Sequence, residues 1–212
     1  MYATDPTAPP LNIEIEIRRL LDLMPATGRM LTKILSKPGQ SSVIDAALPK
    51  PWASNRPIAI NFDLWSQLTQ PEQDLLLLRT TCWVTGVKWL RPNWMQGAVA
   101  IGALGTGIEL LQGDPIGILI AGGLTALAAN QIWRKNYSAR TELEADEAAL
   151  RVAQRRGYDE AGAARALLTA IEHVAQIEGR TTLSFTELVR SQNLRMLSGL
   201  SPVSVPETAR QD

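Results

Sequence analysis

Two apolar runs, residues 95–111 and 116–132, separated only by Gln112-Gly113-Asp114-Pro115, constrain the fold of this chain more than any other feature. A glycine-aspartate-proline joint is a turn signal, so the runs read as a helical hairpin. Each run has 17 residues. A helix of that length covers roughly 26 Å at about 1.5 Å per residue, just short of the ~30 Å hydrocarbon core of a bilayer. Lys88 and Arg91 precede the first run, and Arg134, Lys135 and Arg140 follow the second, so all these cations share one side. Positive flanks mark the cytoplasmic side of a membrane hairpin. Trp89, Trp94 and Trp133 fall at the same end, and with Arg91 and Arg134 they are candidate anchors in the headgroup layer. Small residues, Ala98 with Gly102 and Ala103 with Gly107, let two helices approach closely. The competing reading is a helical pair buried inside a soluble fold. Glu109 argues for it, because an unpaired carboxylate in lipid is costly.

The rest of the chain reads as a folded domain. A length of 212 residues with 45% hydrophobic content suffices for one domain with a core and not for two. The expected organisation is a flexible N-terminus over 1–10, a single domain over 11–198 that includes the hairpin 95–132, and a disordered tail over 199–212. Lysine plus arginine equals aspartate plus glutamate at 21 each, so no global basic field exists to hold nucleic acid. A single cysteine, Cys82, excludes an internal disulfide and a thiolate zinc site, which suits a reducing compartment. Residues 1–10 lack a charged region leading into an apolar core, which argues against a cleaved secretory signal. The main domain is expected to face the cytoplasm.

Periodicity places two short helices over 11–24 and 27–35, broken at Pro25, then a mostly loop-like segment over 38–57 with a short extended stretch at 42–45. Larger apolar side chains at every second position make 57–62 a strand, followed by a helical turn or two over 64–68. Thr69, Pro71 and Glu72 start a leucine-rich buried helix that runs through Trp83. Beyond the hairpin, 141–156 is amphipathic and stops at Gly157. Asp159 caps a helix over 160–177, and Ser184 with Glu187 forms a capping box that starts a last helix ending near Leu197. The expected class is mostly α with a small β element.

Three consecutive features then line up: the strand 58–62, the stretch Asp63-Leu64-Trp65-Ser66-Gln67-Leu68-Thr69-Gln70-Pro71-Glu72, and the helix ending in Arg79-Thr80-Thr81-Cys82-Trp83. Further on come Glu142-Leu143-Glu144-Ala145-Asp146 and Gly157-Tyr158-Asp159. This order resembles the HtpX-like gluzincin peptidases over residues 11–178. In that family an edge strand leads into a helix bearing HExxH, and a glutamate, three residues and an aspartate follow a hydrophobic hairpin. Here the HExxH positions read RTTCW. The chain also resembles a small cyanobacterial domain family with the same degenerate segment, which implies a thylakoid or plasma membrane as host.

The substitutions remove the chemistry that the resemblance implies. Two histidines at i and i+4 share one helix face and supply two of the three protein ligands of a catalytic zinc. Arg79 and Trp83 stand there, and neither a guanidinium nor an indole ligates zinc. Thr80 stands at the general base, and a hydroxyl is too weak for that work at neutral pH. Glu142, at the third ligand position, is retained. A stranded carboxylate in a cleft costs several kcal/mol when unpaired. The fork of Arg79 is expected to take Glu142, with Asp146 as a second acceptor, in place of the metal. The alternative has Arg79 in solvent and Glu142 as one more charge on an exposed helix face.

The expectation is therefore a catalytically inactive peptidase-like protein without zinc or other cofactor. It would be anchored by its hairpin and bind an unknown protein or peptide, as an assembly or quality-control factor of membrane complexes. Active relatives hold an extended peptide beside the strand, so Ile58, Ile60 and Phe62 mark a candidate peptide-binding edge. Two rivals stand beside this. One is an enzyme with a non-zinc metal on Glu142 and Asp146; the other is a purely structural membrane-surface protein, favoured if the 38–57 segment covers the strand edge. His173, the only histidine, takes no role. Cys82 reads as a small buried side chain, Gly102, Gly105 and Gly107 as packing positions, and Arg155-Arg156 as solvated cations. The cluster from Lys88 to Trp94 is an interface anchor rather than a nucleic-acid site.

Overall fold

The computed structural model describes residues 12–48, 53, 55–86 and 139–200. The hairpin 95–132, the anchors Trp89, Arg91, Trp94, Trp133 and Arg134, the N-terminal 1–10 and residues 201–212 of the expected tail lie outside the described residues.

Helix α1 (Ile13–Leu23) starts where the Asn12 side-chain oxygen accepts from the N–H of Glu14 and of Ile15, and ends before Pro25, which lacks the N–H needed to continue. Helix α2 (Ala26–Leu31) is shorter than the expected 27–35. Its second half is instead strand β1 (Thr32–Ser36), in which Thr32 and Ile34 point inward at strand spacing. Met30, Leu31, Ile34 and Leu35 fit a helical repeat equally well. Partnering decided the matter, since all five residues of β1 pair in parallel with β3 (Arg56–Ile60), from Thr32 opposite Arg56 to Ser36 opposite Ile60. Strand β2 (Ile44–Asp45) pairs antiparallel with Ile60 and Ala59.

The sheet order is β1-β3-β2. The candidate peptide-binding edge is thereby corrected: β3 is the central strand. Ile58, Ile60 and Phe62 are buried core residues, because β1 takes one side of the strand and a segment read mostly as loop supplies β2 to the other.

After β3, Asn61 caps the single-turn helix α3 (Phe62–Trp65), and α4 (Gln70–Gly86) follows. The Glu72 carboxylate reaches back to accept from the N–H of Thr69 at 2.8 Å, half of a capping box. Helix α4 is buried on nearly all sides although it is not apolar all round, and its buried Glu72, Gln73 and Asp74 are met by hydrogen bonds or an ion pair. One cluster, containing Leu20, Met24, Ile34, Ile58 and Trp65, packs its Leu77 and Trp83 beneath the sheet. Another packs its Leu75 and Leu78 with residues of α5 (Ala139–Gln154), α6 (Glu160–Ile177) and α7 (Phe185–Leu197). Against the opposite flank of α4, Gly28 lies so close that a β-carbon there would stand 2.5 Å from the Thr81 methyl. The described chain is thus mostly helical with a small three-stranded sheet, an α+β arrangement.

Candidate functional site

Arg79, on the side of α4 that faces α5, meets Glu142 in the first turn of α5 as a direct ion pair between its terminal guanidinium nitrogen and the carboxylate. Its Nε stands 3.6 Å from Asp146 Oδ1, one turn further along α5, which is too long for a hydrogen bond. Asp146 is fully buried, and its main partner is Arg190 of α7. The Arg190 Nε and terminal nitrogen donate to the two Asp146 oxygens at 2.8 and 2.9 Å, the bidentate fork that gives the strongest carboxylate pairing. Two guanidinium groups and two carboxylates form a cluster of zero formal charge that ties α4, α5 and α7 together. Burial, reinforced by repulsion from Arg190, lowers the pKa of Arg79 from its ordinary value; Asp146 and Glu187 oppose that shift.

Thr80 is buried, and its hydroxyl donates to the Leu76 carbonyl at 2.8 Å, within its own helix. Trp83 is buried in the same core cluster as Ala145 of α5. Of the five residues named from the sequence, Arg79, Glu142 and Asp146 meet between α4 and α5, Trp83 shares a core cluster with α5, and the Thr80 hydroxyl is turned to its own helix.

Sequence reasoning missed Arg190. Position 190 stands four before Leu194 and seven before Leu197, on the inward stripe of α7. An arginine on an apolar stripe signals a buried carboxylate to be met. A second set of ion pairs starts three residues before Arg190, at Glu187. Arg180 donates to both Glu187 oxygens at 2.9 Å and from Nε to Glu178 at 2.9 Å, and Glu178 accepts from the Val43 N–H at 2.9 Å, beside β2. Burial works against ionisation of Glu187. Arg180 and the bonds from Ser184 outweigh it and hold the carboxyl down to about 2.

A separate polar network lies at the far end of α4. Arg19 pairs with Glu16 and Asp74, Trp65 Nε1 donates to Glu16 at 3.2 Å, and the Tyr158 hydroxyl donates to Asp74 at 2.7 Å. Burial and that hydrogen bond push the Tyr158 hydroxyl up to about 12. Arg156, expected to be solvated, donates to the Leu23 and Met24 carbonyls at 3.1 and 2.9 Å and so satisfies the end of α1. His173 Nδ1 lies 2.7 Å from the buried Glu72. Cys82 is partly buried, and burial pushes its thiol up to about 11 despite Arg151 and Arg79. Among the described residues no group of three or more His, Cys, Asp or Glu side chains is placed to hold a metal ion.

Residues 18–158 match the family model described as "Protein of unknown function (DUF3318)". The chain belongs to this family. The DUF3318 match spans Arg79, Glu142 and Asp146 and stops short of α7, so Arg190 lies beyond it. The chain is also 28% identical over 162 residues to a thylakoid membrane protein of Synechocystis sp., covering 74% of this chain and 75% of that protein. No solved structure matches. Among the described residues of this DUF3318 member, no helix is long and apolar enough to cross a membrane.

Proposed function

We propose that this protein is a catalytically inactive, peptidase-like member of its family. It associates with a membrane through the 95–132 hairpin, its main domain facing the cytoplasm, and serves by binding another protein in the assembly or quality control of membrane complexes. The observation that carries this reading is the cluster itself. The HExxH positions of the HtpX-like pattern read RTTCW, and Arg79, which stands there, is paired with Glu142, the carboxylate at the third ligand position. A cation at that place would have to displace Arg79 from Glu142 and compete with Arg190 for Asp146, both carboxylates being already neutralised by guanidinium groups. The same argument opposes a magnesium or calcium enzyme built on Glu142 and Asp146. Association with a membrane is supported by the flanking cations of the two apolar runs and by the thylakoid membrane relative.

The central position of β3 favours one rival. The 38–57 segment supplies β2, so that side of the strand is taken at residues 59 and 60, as expected for a purely structural membrane-surface protein. Partner binding therefore belongs on another surface than β3. The test is elemental mass spectrometry on the purified full chain together with a casein hydrolysis assay, with and without added zinc. The expected result is no stoichiometric metal and no hydrolysis. One zinc per chain with chelator-sensitive cleavage would overturn the proposal. Photo-cross-linking in isolated membranes separates the rivals: a reproducible protein adduct supports the binding factor, and adducts to lipid alone support the structural protein.

A further inference from the structure

Helices α4, α5 and α7 present one common end of the domain. Helix α4 finishes at Gly86 and α5 begins at Ala139, so the chain leaves and returns there around residues 87–138. Three ties fix the direction of α7 against α5. Val189 clusters with Ala139 and Leu143, Arg190 clamps Asp146, and Leu194 shares a core cluster with Ala149, Leu150 and Ala153. Rising residue numbers in α7 meet rising numbers in α5, so the two helices run side by side in the same direction. The first turn of α7 then sits level with Ala139 or beyond it, about 6 Å past Val189 at ~1.5 Å per residue.

That turn carries Phe185, 69% exposed, and Leu188, 54% exposed, three residues apart on one helix side. Exposed apolar residues scattered singly need no explanation, but an adjacent aromatic and leucine at the mouth of an apolar insertion is a different observation. The neighbouring sequence matches it in chemistry: Lys88, Trp89, Arg91 and Trp94 follow Gly86, while Trp133, Arg134 and Lys135 precede Ala139. The described Arg140 at the same end is exposed. Cations with aromatics are the side chains that favour a headgroup layer.

We propose that the first turn of α7 is a lipid-contacting surface, with Phe185 and Leu188 entering the headgroup and upper acyl region of the bilayer beside the hairpin. This rests on the membrane association proposed above, and adds that the folded domain itself touches the bilayer in one fixed orientation. The Asp146–Arg190 clamp sets that orientation by joining α7 to α5.

The test uses the full chain carrying Cys82→Ala, with one new cysteine at a time by Phe185→Cys, Leu188→Cys or Glu160→Cys, each labelled with a polarity-sensitive nitrobenzoxadiazole dye. Glu160 is exposed at the start of α6, which follows the end of α5 opposite Ala139, and is the water-facing control. Each sample is reconstituted into phosphatidylcholine vesicles containing a minority of phosphatidylglycerol and floated on a density gradient. The expected result is co-flotation, with blue-shifted emission at 185 and 188 that lipids spin-labelled near the headgroup quench at least about twofold more than at 160. Equal, water-like emission at all three positions in floated samples would overturn the lipid contact and leave the membrane reading standing. Blue-shifted emission at 185 and 188 without lipid quenching would overturn it in favour of cover by protein, whether a second copy or the 87–138 segment. Failure to float would remove both proposals together.

Discussion

Replacing Arg190 by glutamine should be among the most damaging single changes in the described domain, although the residue lies far from the HtpX-like pattern. Asp146 has no exposed surface, and Arg190 donates to both of its carboxylate oxygens, at 2.8 and 2.9 Å. Breaking a buried pair by removing one partner costs roughly 3–5 kcal/mol, because the remaining charge stays buried and uncompensated. Arg79 Nε at 3.6 Å offsets part of that loss, which places R190Q near the lower figure. For a chain of this size each kcal/mol moves the midpoint by about 2–4 °C, so a loss of ~3 kcal/mol lowers Tm by roughly 6–12 °C. The assay is thermal unfolding of the full chain in mild detergent, followed by tryptophan emission. D146N alone should also destabilise, since it leaves Arg79 and Arg190 facing each other with one fewer carboxylate. The double variant D146N/R190Q should cost less than the sum of the two by about 1–3 kcal/mol, the signature of groups in direct contact. A Tm within ~2 °C of wild type for R190Q, below what ~1 kcal/mol would produce, or strict additivity in the cycle, would refute the clamp.

Four further outcomes follow from the same geometry. G28A should destabilise by about 1–3 kcal/mol, because its methyl meets the stiff, fully buried Thr81 side chain at 2.5 Å; G28A/T81S, which removes that methyl, should recover most of the loss in the same unfolding assay. Glu187 is held near 2 against an ordinary 4.5, so its stabilisation is complete above about pH 4.5 and fades as pH falls toward 2; E187Q should flatten that acid limb, and an unchanged limb would reject the pairing with Arg180. With its thiol raised to about 11 from 9.0, Cys82 should react with iodoacetamide at pH 8 about a hundredfold more slowly in the folded chain than in urea, and equal rates would show it freely accessible. R79H/W83H should bind cobalt, with the visible absorption of a tetrahedral site, using Glu142 as third ligand; no uptake by a folded variant would count against the peptidase-like geometry.

Local signals carried most of the fold. Asn12, Asp159 and Ser184 cap helices because each has a side-chain oxygen at the place where a helix leaves N–H groups unmet, and such short-range chemistry is readable in one dimension. The contacts that escaped are those whose partner is remote. Thr32 to Ser36 became a strand only because Arg56 to Ile60 lay alongside, and β3 lost its edge because two residues of a proline- and serine-rich segment paired with it. At the site, Arg79 and Glu142 were readable as a pair because the HtpX-like pattern sets both positions at one metal. Arg190 stands in no such pattern, and only the burial of Asp146 explains it.

That asymmetry bears on what the cluster is for. A metal tie between α4 and α5 would need only those two helices, and Arg79 with Glu142 supplies a tie of the same span, located seven residues before Gly86 and three after Ala139. Had neutralising Glu142 been the whole requirement, Asp146 could have been an apolar residue, since well-packed hydrophobic groups match or exceed buried ion pairs in stability. Asp146 instead engages a third helix through a fork that fixes both distance and angle. Such a fork adds less to stability than to geometry. What it positions is the start of α7, one turn from Phe185 and Leu188, at the end of the domain where the chain leaves and returns. Under the proposed reading, the ion cluster is therefore an orienting device, aligning the apolar turn of α7 with the root of the hairpin so that both meet one membrane surface.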